Sequence, residues 1–409
     1  MTQHVNVGIV GFGWMGQVHA KALTRVRQHY PDLGATPRLV AVADPADDGR
    51  LGYARDVLGI PFTTPDWNEL VSRDDIDLVC VAGPNFTHRD VAVAAAKAGK
   101  HLWIEKPAGR NLAETLQIAE AVAAAGVASA VGFNYRNVPA VEVARDLVAS
   151  GRIGEVRSVR VQMLGDYSAH PEGALTWRFV RDLAGSGVTG DLASHGLDLA
   201  QYLAGPITAV LAEASTFITE RPQAAGAASH FSRGTGGPLV PVENEDHVLV
   251  LLRFASDARG VLEASRASVG EQNSYGFEVH GSTGALAWDF RRMGELQVCL
   301  DQDYQGASWA THRVGPRDAE AGAFQPDTAI PLSFDDLKVI EAKRLLVSIV
   351  TGTPQGATIA DMVLAARLVD AALRSDAEKR WITLVAERSG AGVRAMDDPD
   401  GDVREQEER

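Results

Sequence analysis

Residues 5–16 read VNVGIVGFGWMG, an apolar run that leads directly into glycines in a G-x-G-x-x-G spacing. The run predicts a buried strand, and the residues from Gly13 towards Arg27 have a helical pattern. In this context Gly11 makes a tight turn, Gly13 lets the backbone approach a pyrophosphate, and Gly16 lets the helix pack closely on the strand. Because a helix N-terminus offers free amides to phosphates, the stretch predicts a dinucleotide site. The alternative is a turn that only needs positive φ angles.

Asp44 ends the second predicted strand, RLVAVAD. A carboxylate at this position accepts hydrogen bonds from the ribose hydroxyls of the adenosine and repels a 2′-phosphate. No Arg or Lys follows before Arg50, so NAD is predicted as the cofactor rather than NADP. The other interpretation is that Asp44 only starts a turn before Pro45. The predicted cofactor-binding residues in this region are Gly11, Phe12, Gly13, Trp14, Met15, Gly16 and Asp44.

The composition excludes several classes of protein. The chain has 409 residues, 45% hydrophobic and 22% charged, which indicates a globular protein of two or three domains. Its net charge of −14 argues against a nucleic-acid partner, and two cysteines, Cys80 and Cys299, exclude a disulfide framework. The N-terminus lacks the layout of a signal peptide and no apolar run approaches membrane-spanning length. We therefore expect a cytoplasmic protein with no membrane partner.

The pattern of predicted elements changes near residue 135. Up to there, near-continuous apolar strands alternate with Ala-rich helices, as in a parallel sheet covered on both faces. Residues 136–385 contain helices and partly alternating strands with glycine-marked turns, which predict a mostly antiparallel open sheet. We predict an α/β protein with a Rossmann doubly wound domain over 1–135, an α+β substrate-binding and oligomerisation domain over 136–385, and a disordered acidic tail over 386–409. Residues 221–245 predict a surface loop, either disordered or a lid.

Residues 190–198 read GDLASHGLD, which places Asp191, His195 and Asp198 at helical spacings. Taken alone, the stretch has two interpretations. In the first, Asp191 is an N-cap that accepts first-turn amides, and His195 is a buried histidine paired with Asp198. In the second, the carboxylate and the imidazole form a unit that moves a proton.

The chain resembles the glucose–fructose oxidoreductase/inositol dehydrogenase/MocA (Gfo/Idh/MocA) family in the glycine loop, AGPNFTH at 82–88, WIEKPAG at 103–109 and GDLASHGLD. The resemblance extends to about residue 385. Within the family, residues 175–203 look like the subgroup that includes levoglucosan and inositol dehydrogenases. The resemblance implies a carbohydrate or cyclitol substrate, NAD as the cofactor, and a homodimer or homotetramer packed through the sheet of the second domain.

The resemblance also implies roles for individual residues. Lys106 hydrogen-bonds the reacting hydroxyl and stabilises charge on its oxygen, and Pro107 follows a cis bond. His195 is the general base, which suits an imidazole because its pKa lies near neutrality. Asp191 orients the substrate or the imidazole, which completes the catalytic set. The implied cofactor contacts are Asn85 on a ribose, Glu105, Lys106 and His88, the last of which also fits a structural or rim position.

The predicted substrate-binding residues are Lys106, Tyr135, Asp166, Trp177, Arg178, Asp191 and His195. Sugars combine apolar ring faces with hydroxyls, which suit aromatic rings and bidentate polar groups. Other interpretations remain for three of these residues: a hinge loop for Tyr135, core packing for Trp177 and an ion pair for Arg178. No cluster of His, Asp and Glu has the spacing of metal ligands, so no metal is predicted.

These observations predict an NAD-dependent dehydrogenase that oxidises one secondary hydroxyl of a sugar, anhydrosugar, glycoside or cyclitol to a ketone. A redox-neutral glycosidase of the same fold that uses NAD and a non-catalytic dinucleotide-binding regulator are the alternatives. The presence of both Lys106 and His195 argues against the regulator, because a sensor needs neither.

Overall fold

The chain folds around two β-sheets. The computed structural model describes residues 3–46, 48–223, 232–234, 236–300, 304–389 and 392–397. The first sheet occupies the N-terminal third of the chain and the second sheet most of the remainder, as the change of pattern near residue 135 predicts.

The first domain is a parallel sheet with helices on both faces. Its strands are β1 (Gln3–Val10), β2 (Ala35–Ala43), β3 (Phe62–Thr64), β4 (Leu78–Val81), β5 (His101–Ile104) and β6 (Ser129–Val131). Its helices are α1 (Trp14–His29), α2 (Arg50–Asp56), α3 (Trp67–Val71), α4 (Asn85–Lys97) and α5 (Leu112–Ala125). The strands lie in the order β3–β2–β1–β4–β5–β6. The order reverses between β1 and β4, and a ligand cleft is expected at the carboxyl ends of the strands there.

The second domain is built on a large, mostly antiparallel sheet. The strands that follow in the chain are β7 (Val156–Leu164), β8 (Ile207–Ser215), β9 (Glu220–Pro222), β10 (Leu239–Pro241), β11 (His247–Phe254), β12 (Arg259–Ser265), β13 (Ser274–Gly281), β14 (Ala285–Asp289), β15 (Glu295–Cys299), β16 (Ala310–Arg313), β17 (Ile382–Ser389) and β18 (Gly392–Asp397). They form a sheet in the order β16–β15–β14–β13–β7–β12–β11–β8–β17–β18, beside a β9–β10 ribbon. Strands β7 and β12 pair in parallel. The predicted fold class is therefore confirmed.

One face of the large sheet is covered by helices. The helices after residue 138 are α6 (Pro139–Ala149), α7 (Arg181–Ala184), α8 (Ser194–Ala204), α9 (Phe334–Thr351) and α10 (Ile359–Glu378). Strand β11 alternates accordingly: Val248, Val250 and Leu252 are buried, whereas Leu249 and Leu251 are exposed. This period-two pattern is what one covered and one open face require.

Helices α9 and α10 return to the first domain. Helix α9 packs on α1, and its Val339 and Leu346 lie in the same apolar core as β1. Helix α10 packs between α5 and β8, with Met362 and Ala365 in the core beneath β4 and β5. The first sheet ends at Val131 and the second begins at Val156, and α9 and α10 connect the two.

Two predictions about irregular segments require correction. Residues 221–245 are not wholly a surface loop, because β9 and β10 pair there and Arg221 and Glu245 are buried. Residues 386–389 and 392–397 are strand rather than disordered tail, because β17 pairs with β8 at its start and its backbone continues into an antiparallel hairpin with β18. Residues 224–231, 235, 390–391 and 398–409 of these two segments lie outside the described residues.

The two cysteines do not pair. Cys80 is a free buried thiol in β4, and Cys299 is free and half-buried at the end of β15. In the part of the chain that the structure describes, no helix is both long enough and apolar enough to span a bilayer.

Candidate active site

The glycine loop has the shape that a dinucleotide requires. Gly11 has φ of +85°, and a Cβ there would lie 2.3 Å from the amide nitrogen of Gly83, so the ends of β1 and β4 approach too closely for any side chain. A Cβ on Gly16 would lie 2.0 Å from the carbonyl oxygen of Gly11. Gly13 instead faces open space, since the nearest atom to its Cβ position is a guanidinium nitrogen of Arg50 at 3.8 Å. Because no side chain caps α1, its first amides are available to phosphate oxygens.

Asp44, which follows β2, accepts a hydrogen bond from the glycine loop. Its Oδ2 accepts hydrogen bonds from the amide of Phe12 at 2.6 Å and from Arg50 Nη1 at 3.0 Å. Its Oδ1 accepts from the amide of Ala46 at 2.9 Å, which is the turn that the alternative interpretation described. The carboxylate therefore closes the turn and also borders a cleft of about 380 Å³. That cleft is lined by Phe12, Gly13, Trp14, Gln17, Asp48, Gly49, Arg50 and Tyr53.

The other predicted residues of the glycine loop differ in how far their side chains are exposed. The side chain of Phe12 is fully buried, so only its backbone faces the cleft. Trp14 is exposed and stacks on Phe334 at a ring-centroid distance of 5.4 Å, and Met15 is half-buried. A cofactor contact by the Trp14 or Met15 side chain stays a prediction.

Lys106 and Asp191 meet across the two domains. Lys106 follows β5, and the Lys106–Pro107 peptide bond is cis, as the resemblance implied. The Lys106 Nζ donates to Asp191 Oδ1 at 2.7 Å and to the Asp191 carbonyl at 2.8 Å. Tyr167, after β7, donates its hydroxyl to Asp191 Oδ2 at 2.9 Å. Burial alone raises the pKa of the Asp191 carboxyl, but Lys106 and Arg178 together hold it well below its usual range.

Asp191 is not an N-cap. It lies in a π-helical turn, Thr189–Ala193, that runs straight into α8, and its side chain points to Lys106 and Tyr167 instead. The helix start is capped by Glu245, whose Oε1 accepts from the amides of Gly187 at 2.9 Å and Thr189 at 3.0 Å. The capping interpretation of Asp191 is therefore wrong, because a buried carboxylate from another segment already occupies that position.

His195 is buried in the first turn of α8. Its ring meets Tyr135 edge to face at 4.8 Å and Phe133 at 5.8 Å. Burial, reinforced by the positive charge of Lys106, holds the pKa of His195 well below its usual value. The imidazole is consequently neutral near pH 7 and able to accept a proton.

Asp198 does not pair with His195. It binds the guanidinium of Arg136, with Nε to Oδ2 at 2.8 Å, and Arg136 also donates to Asp361 at 2.9 Å. The interpretation of His195 as a core histidine satisfied by Asp198 is wrong, since the carboxylate is engaged by the arginine that follows β6.

Aromatic rings form a wall beside His195. Tyr135 is almost fully buried and contacts Tyr275 at 5.8 Å and Phe290 at 5.3 Å. Tyr275 lies on β13 and Phe290 follows β14, so both come from the large sheet. The sequence prediction missed these two rings, because a single aromatic residue in an alternating strand is indistinguishable from core packing.

The remaining predicted substrate residues lie on the segment between β7 and α7. Trp177 is half-buried, with Phe86 at 6.4 Å, and the Arg178 guanidinium lies over its ring at 4.2 Å. Arg178 lowers the pKa of Asp191, which places its charge close to the site. Asp166 is half-buried, and its carbonyl accepts from the amide of Ala169.

The carboxylate of Glu105 is hydrogen-bonded to other residues of the chain. Its Oε1 accepts from His19 Nε2 at 2.8 Å and from Lys338 Nζ at 2.7 Å. Lys338 also donates to Glu341 at 2.9 Å, which in turn accepts from Trp103 Nε1 at 2.6 Å. Burial alone raises the pKa of Glu105, but Lys338 and His19 reverse that shift and hold it well below its usual range. Reasoning from sequence missed this network, since Lys338 and Glu341 are ordinary helix-surface residues by pattern.

Two further predicted cofactor residues also contact the protein. The ring nitrogens of His88 lie 2.9 Å from the carbonyl of Pro107 and 2.8 Å from that of Gly83. Burial lowers the pKa of His88, so the neutral ring donates to one carbonyl at a time and joins the ends of β4 and β5. This leaves no ring nitrogen for a cofactor and supports the structural interpretation. Asn85 donates its amide to the carbonyl of Ala184 at 3.0 Å, which links α4 to α7.

The described part of the chain offers no cluster of metal ligands. Among the residues with described positions, no group of three or more His, Cys, Asp and Glu side chains could hold a metal ion. The described side chains Lys106, Asp191 and His195 are suited to proton transfer and charge stabilisation.

Two family descriptions match the chain. Residues 5–133 match "Oxidoreductase family, NAD-binding Rossmann fold". Residues 141–287 match "GFO/IDH/MocA C-terminal domain". Together they cover both the glycine loop and the Asp191–His195 helix.

Characterised relatives align over nearly the whole chain. Levoglucosan dehydrogenase of Pseudarthrobacter phenanthrenivorans is 36% identical over 93% of this chain and 98% of its own length. The inositol 2-dehydrogenase of Rhizobium meliloti is 30% identical over 93% of this chain and 99% of its own length. A solved levoglucosan dehydrogenase in complex with NADH and levoglucosan superposes with a TM-score of 0.87 and 34% identity, covering 93% of this chain and 99% of that one.

Proposed function

The chain belongs to the Gfo/Idh/MocA family of NAD-binding oxidoreductases, and on that basis we propose that it oxidises one secondary hydroxyl of a sugar, anhydrosugar, glycoside or cyclitol to a ketone. The observation that carries the proposal is the contact of 2.7 Å between Lys106 Nζ and Asp191 Oδ1, one helical turn before His195. A cation whose charge acts on a nearby neutral imidazole is suited to the removal of a hydroxyl proton.

Three features of the first domain fit the binding of NAD. The open space at Gly13, the uncapped start of α1 and the Asp44 carboxylate fit the pyrophosphate and the adenosine ribose of NAD. When bound, NAD supplies the acceptor for the hydride that leaves the substrate carbon. Lys106 follows β5, and Asn85 begins α4 shortly after β4, so both lie beyond the carboxyl ends of neighbouring strands of the same sheet.

We assign the proton-handling steps to residues of both domains. The O–H bond of the substrate breaks as its proton moves to the imidazole of His195. Lys106 donates a hydrogen bond to the same oxygen and stabilises its growing negative charge, which falls again as the C=O bond forms. Asp191 holds the ammonium in place through Oδ1, while Tyr167 donates its hydroxyl to Oδ2 of the same carboxylate.

The aromatic wall supports a ring-shaped, hydroxyl-rich substrate. Tyr135 packs edge to face beside His195, and the half-buried Trp177 offers an aromatic ring with the Arg178 cation above it. The levoglucosan dehydrogenase relative has a higher identity to this chain than the inositol dehydrogenase relative, so anhydrosugars are the first substrates to test.

The test is a panel of levoglucosan, myo-inositol, sorbose, glucose and methyl glycosides, each incubated with NAD and followed by NADH absorbance. We expect sustained NADH production with at least one anhydrosugar or cyclitol and none with NAD alone. Release of sugar from a glycoside without net NADH would identify the redox-neutral glycosidase instead. NAD binding without turnover of any panel member would contradict the dehydrogenase proposal.

A further inference from the structure

Arg50, at the start of α2, closes the outer edge of the cleft beside Asp44. Its Nη1 donates to Asp44 Oδ2 at 3.0 Å. Its Nε donates to Asp48 Oδ1 at 2.7 Å, and its Nη2 makes a still shorter bond to Asp48 Oδ2. The guanidinium is therefore held from two sides, in a bidentate pair with Asp48 and in a single bond with Asp44.

This arrangement sets up a competition for one oxygen. Asp44 Oδ2 already accepts from the amide of Phe12 at 2.6 Å and from Arg50 at 3.0 Å, which uses both of its lone pairs. A ribose hydroxyl that is to bind this oxygen must displace Arg50, because the Phe12 amide is fixed by the backbone. The guanidinium then lies beside the ribose with one of its anchors lost.

We propose that Arg50 and Asp48 together determine how the chain treats a phosphate on the adenosine 2′-oxygen: Asp48 keeps Arg50 occupied, and without Asp48 the guanidinium binds the 2′-phosphate of NADP. The proposal rests on NAD(H) as the cofactor of the family and is independent of the sugar substrate.

Charge supports this assignment. Asp44 and Asp48 carry two negative charges against the single positive charge of Arg50, so the described pair of carboxylates leaves this edge net negative and repels a phosphate. Removal of the Asp48 charge takes one negative charge from this edge and leaves Asp44 as the described carboxylate bonded to the guanidinium. A guanidinium has five N–H donors in a fork that fits phosphate oxygens, and three of them bond to Asp44 and Asp48 among the described residues.

The experiment measures binding directly, by calorimetric titration of the full chain with NAD⁺ and with NADP⁺ in the absence of sugar. In Asp48→Asn, the amide can still accept from Arg50 but carries no charge. We expect the NADP⁺ affinity of this variant to rise about tenfold, in line with a charge-assisted bond at a partly exposed site, and the NAD⁺ affinity to change less than about twofold. Arg50→Met should tighten NAD⁺ binding about two- to threefold, because Asp44 Oδ2 is then free for the ribose.

The chain offers a matched control on the same helix. Arg55 and Asp56 form an exposed pair at the far end of α2, so Asp56→Asn removes one charge without touching the cleft. We expect this variant to bind both cofactors as the unmodified chain does. Circular dichroism of each variant establishes that the fold is retained.

A double-mutant cycle tests the coupling. In an Arg50→Met background, Asp48→Asn should no longer raise NADP⁺ affinity, because the group that it releases is absent. The proposal is overturned if Asp48→Asn raises the affinity for both cofactors equally or if its effect on NADP⁺ affinity persists in the Arg50→Met background. It is also overturned if Asp56→Asn raises NADP⁺ affinity as much as Asp48→Asn does. Because no sugar is present, a failure here is distinct from a failure of the proposed oxidation.

Discussion

Lys106 and Asp191 are 85 positions apart in the chain and are joined by two hydrogen bonds, from Nζ to Oδ1 at 2.7 Å and from Nζ to the main-chain carbonyl at 2.8 Å. One residue follows a strand of the first sheet and the other lies on a helix that packs on the second. The proposed catalytic site therefore exists only where the two domains meet, and its geometry depends on how they pack.

The proposed base can be tested by removal. In His195→Ala, we expect turnover to fall about 10²–10⁴-fold, as for loss of a general base, while the protein stays folded and NAD binding stays close to that of the unmodified chain. Lys106→Met should cause a loss of similar size through the missing stabilisation of oxygen charge. Steady-state NADH production and NAD titration on the same preparations measure both quantities.

The double variant, His195→Ala with Lys106→Met, tests whether the two residues act together or independently. If Lys106 and His195 act on one oxygen, the two losses together should cost less than the product of the single losses. A folded His195→Ala protein that retains near-normal turnover would end the assignment of His195 as base.

The buried ion pairs around Glu105 predict a large stability effect at one lysine of α9. Lys338 is fully buried between Glu105 and Glu341, so Lys338→Met leaves two buried carboxylates without their cation. We expect a loss of about 3–5 kcal/mol in the free energy of unfolding. Urea denaturation followed by circular dichroism measures it.

Lys343, on the same helix, is the matched control. It pairs with Glu320 at 2.8 Å at a partly exposed position, so Lys343→Met should cost about 0–1 kcal/mol. Equal losses in the two variants would show that the Glu105 network contributes no more than a surface pair.

Buried histidines predict a loss of stability on mild acidification. Burial lowers the pKa of His19, His88, His101 and His195 below the ordinary value of 6.5. The unfolded chain consequently binds more protons than the folded chain below about pH 6.5, so stability is full above that pH and falls as the pH drops. Each such group contributes a slope of at most about 1.4 kcal/mol per pH unit. Urea denaturation between pH 5 and 8 measures the slope.

Replacement of one of these residues identifies the source of the slope. His88→Gln removes a titrating ring that lies between the carbonyls of Gly83 and Pro107. The slope of the free energy of unfolding against pH should therefore decrease by up to the contribution of one proton, about 1.4 kcal/mol per pH unit. Asp191, whose pKa is depressed, contributes in a separate window below about pH 4. Stability that is constant from pH 8 to pH 5 would contradict the assignment of these histidines as neutral in the folded chain.

The open face of the large sheet predicts self-association. Leu249 and Leu251 of β11 are exposed on the face opposite the helices, and apolar side chains on an open sheet face are commonly covered by a second copy. We expect a dimer or tetramer by light scattering at micromolar concentration, and a shift towards monomer in Leu251→Glu. Val57→Glu, at an exposed apolar position of the first domain, should leave the mass unchanged. A monomeric unmodified chain would contradict the prediction.

Local sequence patterns were sufficient for the fold class and for much of the candidate site. The strand–glycine–helix sequence around Gly11 and Gly13 requires a tight turn and an open backbone wherever it occurs, so its role follows from a few consecutive residues. The spacing of Asp191 and His195 likewise places both on one helix, because a helix repeats every 3.6 residues.

The partners of these residues could be identified only in the folded chain. Glu105 meets Lys338 over 233 positions, and the cap of the Asp191 helix comes from Glu245. For Asp191 a local interpretation, as its own helix cap, was available and incorrect, whereas a cofactor contact by Glu105 stays a prediction. The physical reason is that a buried charge must find a counter-charge or donor somewhere in the interior, and packing, rather than proximity along the chain, selects which group lies within hydrogen-bonding distance.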